Sequence, residues 1–192
     1  ALESGFYFQG KKWHEVFFYA FFQSTTTRSG GLVTMDLSQF QEPTLLFMAA
    51  MMFIGASPSS VGGGIRTTTF ALNCLFLYHF ARGNKTIKIL KREIVPEDSL
   101  KALAVTMIAL FIFFLSVFIL IITEDFPLTS IIFEVASAFG TCGASVGITP
   151  LLSSTGKFVI MILMFIGRIG ILTFLFIIGG KETRDHYHYP KE

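Results

Sequence analysis

Three short stretches of the chain combine glycine with small and hydroxyl-bearing residues, and each lies between apolar segments. Residues 137–150 read Ser-Ala-Phe-Gly-Thr-Cys-Gly-Ala-Ser-Val-Gly-Ile-Thr-Pro, residues 25–32 read Thr-Thr-Thr-Arg-Ser-Gly-Gly-Leu, and residues 55–64 read Gly-Ala-Ser-Pro-Ser-Ser-Val-Gly-Gly-Gly. Glycine lets a backbone approach a ligand closely. Irregular backbone persists inside a bilayer only where protein or a water-filled path satisfies its polar groups. The chemistry that these stretches predict is coordination of a cation by main-chain oxygens.

The composition places the chain among integral membrane proteins. Of its 192 residues, 52% are hydrophobic, 23 are Phe and 15% are charged, whereas a soluble domain carries about 25% charged residues. The charges cluster between long apolar runs, which predicts an all-α membrane protein. The net charge of +2 is too small to favour nucleic acid as a partner. Because the chain opens within a polar, aromatic segment, we expect it to be a piece of a longer protein.

The first half, residues 1–80, predicts one short helix and one interrupted helix. Residues 13–24 are apolar, but a helix of that length spans about 18 Å, short of the roughly 30 Å of a bilayer core. Residues 43–80 carry one formal charge, Arg66, and would span about 57 Å as a straight helix. Proline and three successive glycines within residues 55–64 must break that helix. The two expected half-helices are residues 43–54 and 65–80.

The second half predicts one full span, a second short helix and a returning span. Residues 81–101 form a polar loop with more basic than acidic residues, which places the loop in the cytoplasm. The stretch 127–139 begins with Pro127, a helix-start residue. The expected elements of this half are an outer helix 102–122, a pore helix 127–139, a filter 140–147, an inner helix 158–180 and a cytoplasmic tail 181–192.

An internal repeat relates the two halves. At an offset of 112 residues, Gly31 aligns with Gly143 and Ala56 aligns with Arg168. The repeated unit is an outer helix, a pore helix, a filter and an inner helix; residues 102–180 hold it complete and residues 1–80 lack its outer helix. Potassium filters place four strands around one axis. We therefore expect two further units from a missing N-terminal half or from other subunits.

These stretches resemble a known family. Residues 137–150 look like the fourth filter segment of the Trk/Ktr/HKT potassium transporters, and residues 55–70 resemble the broken inner helix of their third repeat. The resemblance is greatest to the membrane subunit of bacterial Ktr systems. It covers essentially the whole chain but only the C-terminal half of a four-repeat family protein.

The resemblance implies a function that the residues alone do not give. Members of this family move K+, and some move Na+. They are homodimers in the cell membrane, with one pore in each four-repeat chain. The loop in the third repeat obstructs the path below the filter and acts as a gate, which the positive residue of the last inner helix, here Arg168, faces. A cytosolic, KtrA-like nucleotide-binding ring that senses ATP and ADP regulates the Ktr systems. The chain departs from the commonest filter pattern at Leu32 and Ala144, where an aromatic residue often follows the filter glycine.

The candidate site has a filter and a gate. The backbone carbonyl of Cys142 is expected to face the ion and its side chain to point away. The predicted ion-binding residues are Thr27, Arg28, Ser29, Gly30 and Gly31 in the first segment and Thr141, Cys142, Gly143 and Ala144 in the second. The predicted gate comprises Gly55, Ala56, Ser57, Pro58, Ser59, Ser60, Val61, Gly62, Gly63, Gly64 and Arg168.

Several charged residues admit more than one interpretation. Arg168 either guards the path with its charge or bonds loop carbonyls, since a charge at that depth is costly and by default functional. Arg66 ends the loop and is expected near the cytoplasmic half of the path. Glu134 either accepts hydrogen bonds from the filter backbone or faces an outer vestibule, and we favour the structural role.

Two other classes of function compete with a channel-like transporter. A secondary carrier would bind its solute at the broken helices and would need charged or aromatic ligands there, but not repeated glycine segments. An intramembrane hydrolase would need a base beside Ser57 or a neighbouring serine, and no histidine lies at that depth. The glycines of residues 62–64 lack the spacing and the lysine of a phosphate-binding loop.

Overall fold

The structure, a computed structural model, describes residues 8, 10, 12–28, 30–58, 60, 62–83, 88–89, 92–94 and 96–171. These residues form helices joined by loops, together with one pair of two-residue strands, and the predicted all-α class is confirmed. The helices are α1 (Trp13–Thr26), α2 (Glu42–Phe53), α3 (Thr67–Ala81), α4 (Pro96–Thr123), α5 (Leu128–Phe139) and α6 (Ser154–Ile169). The other elements are two 3-10 turns, Leu37–Gln39 and Thr149–Leu151, and the antiparallel strands β1 (Lys88–Ile89) and β2 (Arg92–Glu93).

Helix α1 runs into the first predicted filter segment. It ends at Thr26, so the expected boundary between a helix at 13–24 and a filter at 25–32 is two residues too early. Thr25 Oγ1 donates to the Phe21 carbonyl at 2.9 Å, and Thr26 Oγ1 donates to the Gln23 carbonyl at 3.1 Å. Both hydroxyls bond back to carbonyls of the preceding turn, as threonines within a helix commonly do.

The long apolar segment is broken where glycine and proline predict. Helix α2 starts one residue before Pro43 and ends at Phe53, and α3 begins at Thr67. The two ends stay close, because Ile54 and Ile65 form a parallel β-bridge and the Ile65 N–H donates to the Phe53 carbonyl at 3.1 Å. The segment between α2 and α3 is therefore a loop whose two ends lie next to each other.

Helix α4 is longer than the predicted outer helix 102–122. It begins at Pro96, inside the loop expected at 81–101, and its 28 residues span about 42 Å. Among the described residues, Asp98–Thr123 is the one helix whose length and composition suit a membrane crossing, while α2 and α5 are shorter apolar helices. A proline at the first helical position explains the earlier start.

Helix α5 is the centre of the fold. It packs against α2, α4 and α6, and every residue from Phe133 to Phe139 is buried. Phe139 stacks on Phe53 of α2 at a ring-centroid distance of 5.4 Å. A short helix that is apolar on nearly all sides needs such enclosure, since it exposes little polar surface to solvent.

Helix α6 starts earlier than predicted and is interrupted at Gly170, after which Ile171 is again helical. It begins at Ser154 rather than at 158, because Ser153 caps it by accepting a hydrogen bond from the Gly156 N–H at 3.1 Å. It ends at Ile169, and Gly170 follows with φ of 87°. The remainder of the predicted inner helix 158–180, beyond residue 171, and the tail 181–192 lie outside the described residues.

The two halves correspond element by element at the offset of 112 residues. The 3-10 turn that begins at residue 37 has its counterpart at residue 149, and helix α2, beginning at residue 42, has its counterpart at residue 154. Gly31 and Gly143, paired by the same offset, both have positive φ, 61° and 86°. The correspondence supports the internal repeat read from the sequence.

Candidate functional site

The two predicted filter segments meet at Cys142. Its side chain is buried, and Sγ donates a hydrogen bond to the Thr27 carbonyl at 2.9 Å. The carbonyl oxygen of Cys142 lies against Gly31, where an added Cβ would overlap it. Segments far apart in sequence thus approach backbone to backbone, which at position 31 requires glycine. The sequence did not predict the thiol bond, and the expected orientation of Cys142 towards an ion stays a prediction.

Each filter segment is the direct continuation of a short helix. The Gly30 and Gly31 N–H groups donate to the carbonyl of Thr26, the last residue of α1, at 3.0 and 3.3 Å. The Cys142 N–H donates to the Ser137 carbonyl of α5 at 2.9 Å. The C-terminal ends of both helices, which carry partial negative charge, therefore lie at the start of their segments. Arg28 is half-buried, and Ser29 lies outside the described residues.

The second segment contains a backbone conformation that side chains rarely adopt. Thr141 has φ of 52° although it is β-branched, and such residues are outliers in the left-handed region. Gly143 is exposed, with open space around its Cα, whereas Ala144 is buried. A strained residue that persists must be held by its surroundings, and such residues are frequent at functional sites.

Glu134 fastens the second half of the predicted filter 140–147 and the turn after it. This carboxyl group is buried within α5 and 5% exposed. Its Oε1 accepts from the Val146 N–H at 3.1 Å and from the Ser145 hydroxyl, and its Oε2 accepts from Thr149 Oγ1 at 2.8 Å. Of the two interpretations of Glu134, the hydrogen-bonded one describes its position.

The predicted gating loop is folded tightly upon itself. Gly55 lies against the carbonyl of Gly63 so closely that an added Cβ would overlap the oxygen. Arg66 Nη1 donates to the carbonyls of Ser57 and Ser60, at 3.2 and 2.8 Å. Two carbonyls thereby gain a charged partner that the loop itself does not supply. Ser59 and Val61 lie outside the described residues, and Pro58 is exposed.

Sequence reasoning missed this role of Arg66. It considered bonds to the loop carbonyls only for Arg168, as one of two interpretations, and placed Arg66 near the cytoplasmic half of the path. The signal was available, because Arg66 is the first charged residue after three glycines and its long side chain can fold back over the preceding loop. A guanidinium group has five N–H donors and suits several carbonyl acceptors at once.

The loop touches the second filter segment directly. The Gly63 N–H donates to Thr141 Oγ1 at 2.8 Å. A Cβ at Gly63 would lie 2.7 Å from Thr141 Cγ2 and 2.9 Å from the Gly167 carbonyl oxygen. Gly63 is therefore wedged between the filter and helix α6, with no room for a side chain. Gly167 in turn lies against the Phe139 carbonyl.

Arg168 follows Gly167 in the last turn of α6, so its backbone adjoins the loop. Its side chain is exposed. The prediction that this side chain guards the path stays a prediction.

A cavity of about 290 Å³ opens between α1 and α2 and reaches Thr27. Among the described residues that line it, none is charged, and the Gln23 Oε1 atom there is buried without a hydrogen-bond partner. The described residues include no group of three or more His, Cys, Asp and Glu side chains suited to a metal.

Comparison with known proteins agrees with the helical architecture. The family model described as "TrkH: Cation transport protein" matches residues 7–180. The chain is 63% identical over its full length to 43% of Ktr system potassium uptake protein D of Bacillus subtilis (strain 168). Over 89% of its length it is 42% identical to 38% of Ktr system potassium uptake protein B of the same organism.

A third relative carries a broader name. The chain is 35% identical, over 90% of its length, to 40% of the potassium/sodium uptake protein NtpJ of Enterococcus hirae. The chain thus spans less than half the length of these relatives. The matched family is one of transport proteins rather than enzymes, and because its model covers most of the residues, the chain belongs to the TrkH family of cation transport proteins.

Proposed function

We propose that the chain forms the third and fourth repeats of the ion path in a Ktr-type K+ uptake protein, a KtrB-like membrane subunit. The observation that carries the proposal is the meeting of the two glycine segments, where Gly31 lies against the Cys142 carbonyl and Sγ bonds the Thr27 carbonyl. Two filter segments of one pore must lie close together in space, and these two segments do. The relatives named for potassium uptake support the choice of ion.

Selection is by removal of water at main-chain oxygens. Carbonyls of residues 27–31 and 141–144 replace the hydration shell of K+, as in potassium filters. The C-terminal ends of α1 and α5 add partial negative charge at the start of both segments. Glu134 maintains the backbone beyond the second segment through the Val146 N–H.

Gating is by the loop at residues 55–64. Arg66 keeps the loop folded through two of its carbonyls, and Gly63 holds it against Thr141. Arg168 stands beside this contact on α6 and adds a positive charge that opposes passage of a cation until the loop moves.

The complete transporter needs parts beyond this chain. The other two repeats come from an N-terminal half of the same protein, and two such proteins form a homodimer in the bacterial cell membrane with cytoplasmic C-termini. A KtrA-like ring that binds ATP or ADP regulates the pair, in keeping with relatives that are named as members of a Ktr system. Na+ is a second ion, as the name of one relative indicates for that protein.

A secondary carrier would need charged or aromatic ligands in a solute pocket. The cavity between α1 and α2 has aromatic walls, but none of its described lining residues is charged. The close backbone contact between glycine segments favours a filter over that alternative.

The Gly143→Ser substitution tests the filter. Gly143 has φ of 86° and open space around it, so serine fits but pays about 1–2 kcal/mol for the left-handed conformation and displaces the local carbonyls. We expect a weaker preference for K+ over Na+, measured as competitive Rb+ uptake by the full-length protein in vesicles.

Gly83→Ser is the matched control. Gly83 also has positive φ, 72°, and open space around it, but it lies in the turn after α3, away from both segments. It should leave ion preference intact. Unaltered preference and uptake affinity in Gly143→Ser would refute the filter assignment.

A further inference from the structure

The contact between the loop and the filter is made by a side-chain hydroxyl group of the filter. The Gly63 N–H approaches Thr141 Oγ1 to 2.8 Å, well within hydrogen-bond distance. The other loop contacts described above, to Arg66, keep the loop folded without attaching it to the filter. A movement of the loop would therefore act on the proposed filter through Thr141.

A hydroxyl oxygen can also coordinate a cation, and Thr141 lies in the second proposed filter segment. A threonine hydroxyl has two lone pairs and one proton. The lone pair that receives the Gly63 N–H faces the positive end of a peptide dipole, and a cation at that oxygen would repel the same N–H. The loop and the ion therefore oppose each other at one atom.

The packing makes this opposition effective. Gly63 is wedged between Thr141 and the Gly167 carbonyl, so the loop cannot slide along the filter without losing the bond. Thr141 itself sits at φ of 52°, a strained conformation for a β-branched residue, which its partners must maintain. A closely packed junction tends to have discrete arrangements and not a continuous range.

We propose that the Thr141 hydroxyl is shared between the gate and the filter: it accepts the Gly63 N–H when the loop is in place and coordinates the cation when the loop withdraws. Cation occupancy at this oxygen and withdrawal of the loop then promote each other, and the coupling is reciprocal. The inference rests on the proposed function and adds a route by which the transported ion regulates its own gate.

Loop withdrawal can be measured without transport. Ser60 in the loop is half-buried and close in size to cysteine. The probe is Ser60→Cys in the full-length protein with the exposed Cys74 changed to Ser. The rate of modification by a small thiol reagent at position 60 is read by peptide mass spectrometry, in K+ and in N-methylglucamine at equal ionic strength.

In the otherwise unaltered protein, K+ should raise the modification rate on the order of tenfold, within the range typical of coupling between sites. Thr141→Val, which keeps the shape but removes the oxygen, should give the high rate already without K+ and no response to K+. Thr141→Ser should retain the response. Gly63→Ala, whose Cβ would overlap the Thr141 side chain, should also give a high rate without K+ while leaving Thr141 intact.

A rate that ignores K+ in the unaltered protein, or a Thr141→Val protein that keeps both the low rate and the response, would overturn the proposal. Flux in vesicles separates the two proposals. K+ flux with K+-independent modification refutes the shared hydroxyl alone, while K+-dependent modification without K+ flux supports the shared hydroxyl and refutes the transport function.

Discussion

Single side chains fasten the irregular backbone on which the proposed function depends. Glu134 accepts three hydrogen bonds, from Ser145, Val146 and Thr149. Cys142 and Thr141 each bond a neighbouring segment. Within the bilayer core no water is present to accept a hydrogen bond from an unpaired N–H group. At this scale the side chains act mainly by satisfying main-chain groups.

Glu134→Val should destabilise the protein. It removes the carboxylate acceptor of the Val146 N–H and leaves the Ser145 and Thr149 hydroxyls only each other, and a buried donor without a partner costs about 1–3 kcal/mol. We expect a lower thermal midpoint in detergent together with a weaker preference for K+ over Na+. Glu134→Gln keeps one acceptor oxygen, so its thermal midpoint should lie between those of the unaltered protein and Glu134→Val. Equal midpoints for all three proteins would contradict the role of Glu134.

At the scale of elements, the loop between α2 and α3 is stabilised at both of its ends. The Ile54–Ile65 bridge closes its base, and Arg66 spans its carbonyls. Two arginines therefore have different places at the proposed gate: Arg66 bonds the loop's own carbonyls, and Arg168 follows the α6 residue that the loop contacts.

Arg66→Gln should loosen the gate. Glutamine has fewer donors and a shorter reach, so the Ser57 and Ser60 carbonyls lose a charge-assisted partner, each such bond contributing about 1.5–3 kcal/mol. We expect a several-fold higher resting K+ leak in vesicles. Arg82→Gln, at the exposed end of α3 where the guanidinium covers the Tyr78 ring, is the control and should not leak. A leak no greater than in the control would show that the Arg66 bonds to the loop carbonyls do not keep the gate closed.

Arg168→Gln tests the proposed charge barrier separately. Removing the positive charge beside the loop should raise K+ flux, because less repulsion opposes a cation at that depth. The flux of the full-length protein in vesicles is measured at several ionic strengths. If flux is unchanged, Arg168 does not guard the path.

The start of α6 depends on Ser153. Its hydroxyl caps the Gly156 N–H and donates to Glu124, and its N–H donates to the Glu124 carboxylate at 3.1 and 3.2 Å. Ser153→Ala should lower stability by about 1 kcal/mol, the usual value of an N-cap. Thermal unfolding would show this, and ion preference should stay unchanged because no filter segment is touched. A changed preference would place this end of α6 in the site.

At the scale of the whole molecule, the two halves of the chain are unequally covered. In the second half of the chain, α4 packs on α5. In the first half, the aromatic face of α1 is open, with Trp13 81% and Phe18 67% exposed. In the proposed four-repeat assembly an upstream outer helix covers this face. The length of the relatives leaves room for such a helix.

The 192-residue chain expressed alone should therefore not restore K+ uptake to cells that lack their own systems, whereas the full-length protein should. Two filter segments leave half of the ion's coordination sphere unfilled. Rb+ uptake by cells expressing each form to equal levels in the membrane is the measurement. Substantial K+-selective uptake by the chain alone would show that copies of this half can complete a pore.

The helical class, the two short apolar helices α2 and α5 and the break between α2 and α3 could be predicted from the sequence, and the repeat at an offset of 112 residues stays a prediction that the helix positions support. These follow from local chemistry: apolar length against bilayer thickness, proline and glycine as helix breakers, and a fixed offset. The sequence-based bounds miss the last two residues of α1 and the starts of α4 and α6, where a first-turn proline begins α4 and the Ser153 cap begins α6.

Only the tertiary structure decided which groups meet. That Cys142 bonds Thr27, that Arg66 clamps the loop and that Gly63 reaches Thr141 depends on how α5 is enclosed by α2, α4 and α6. Partners that lie far apart along the chain are brought together by packing, which spacing does not encode. The sequence shows where the glycines are. Only the folded chain shows which carbonyls and hydroxyls lie against them.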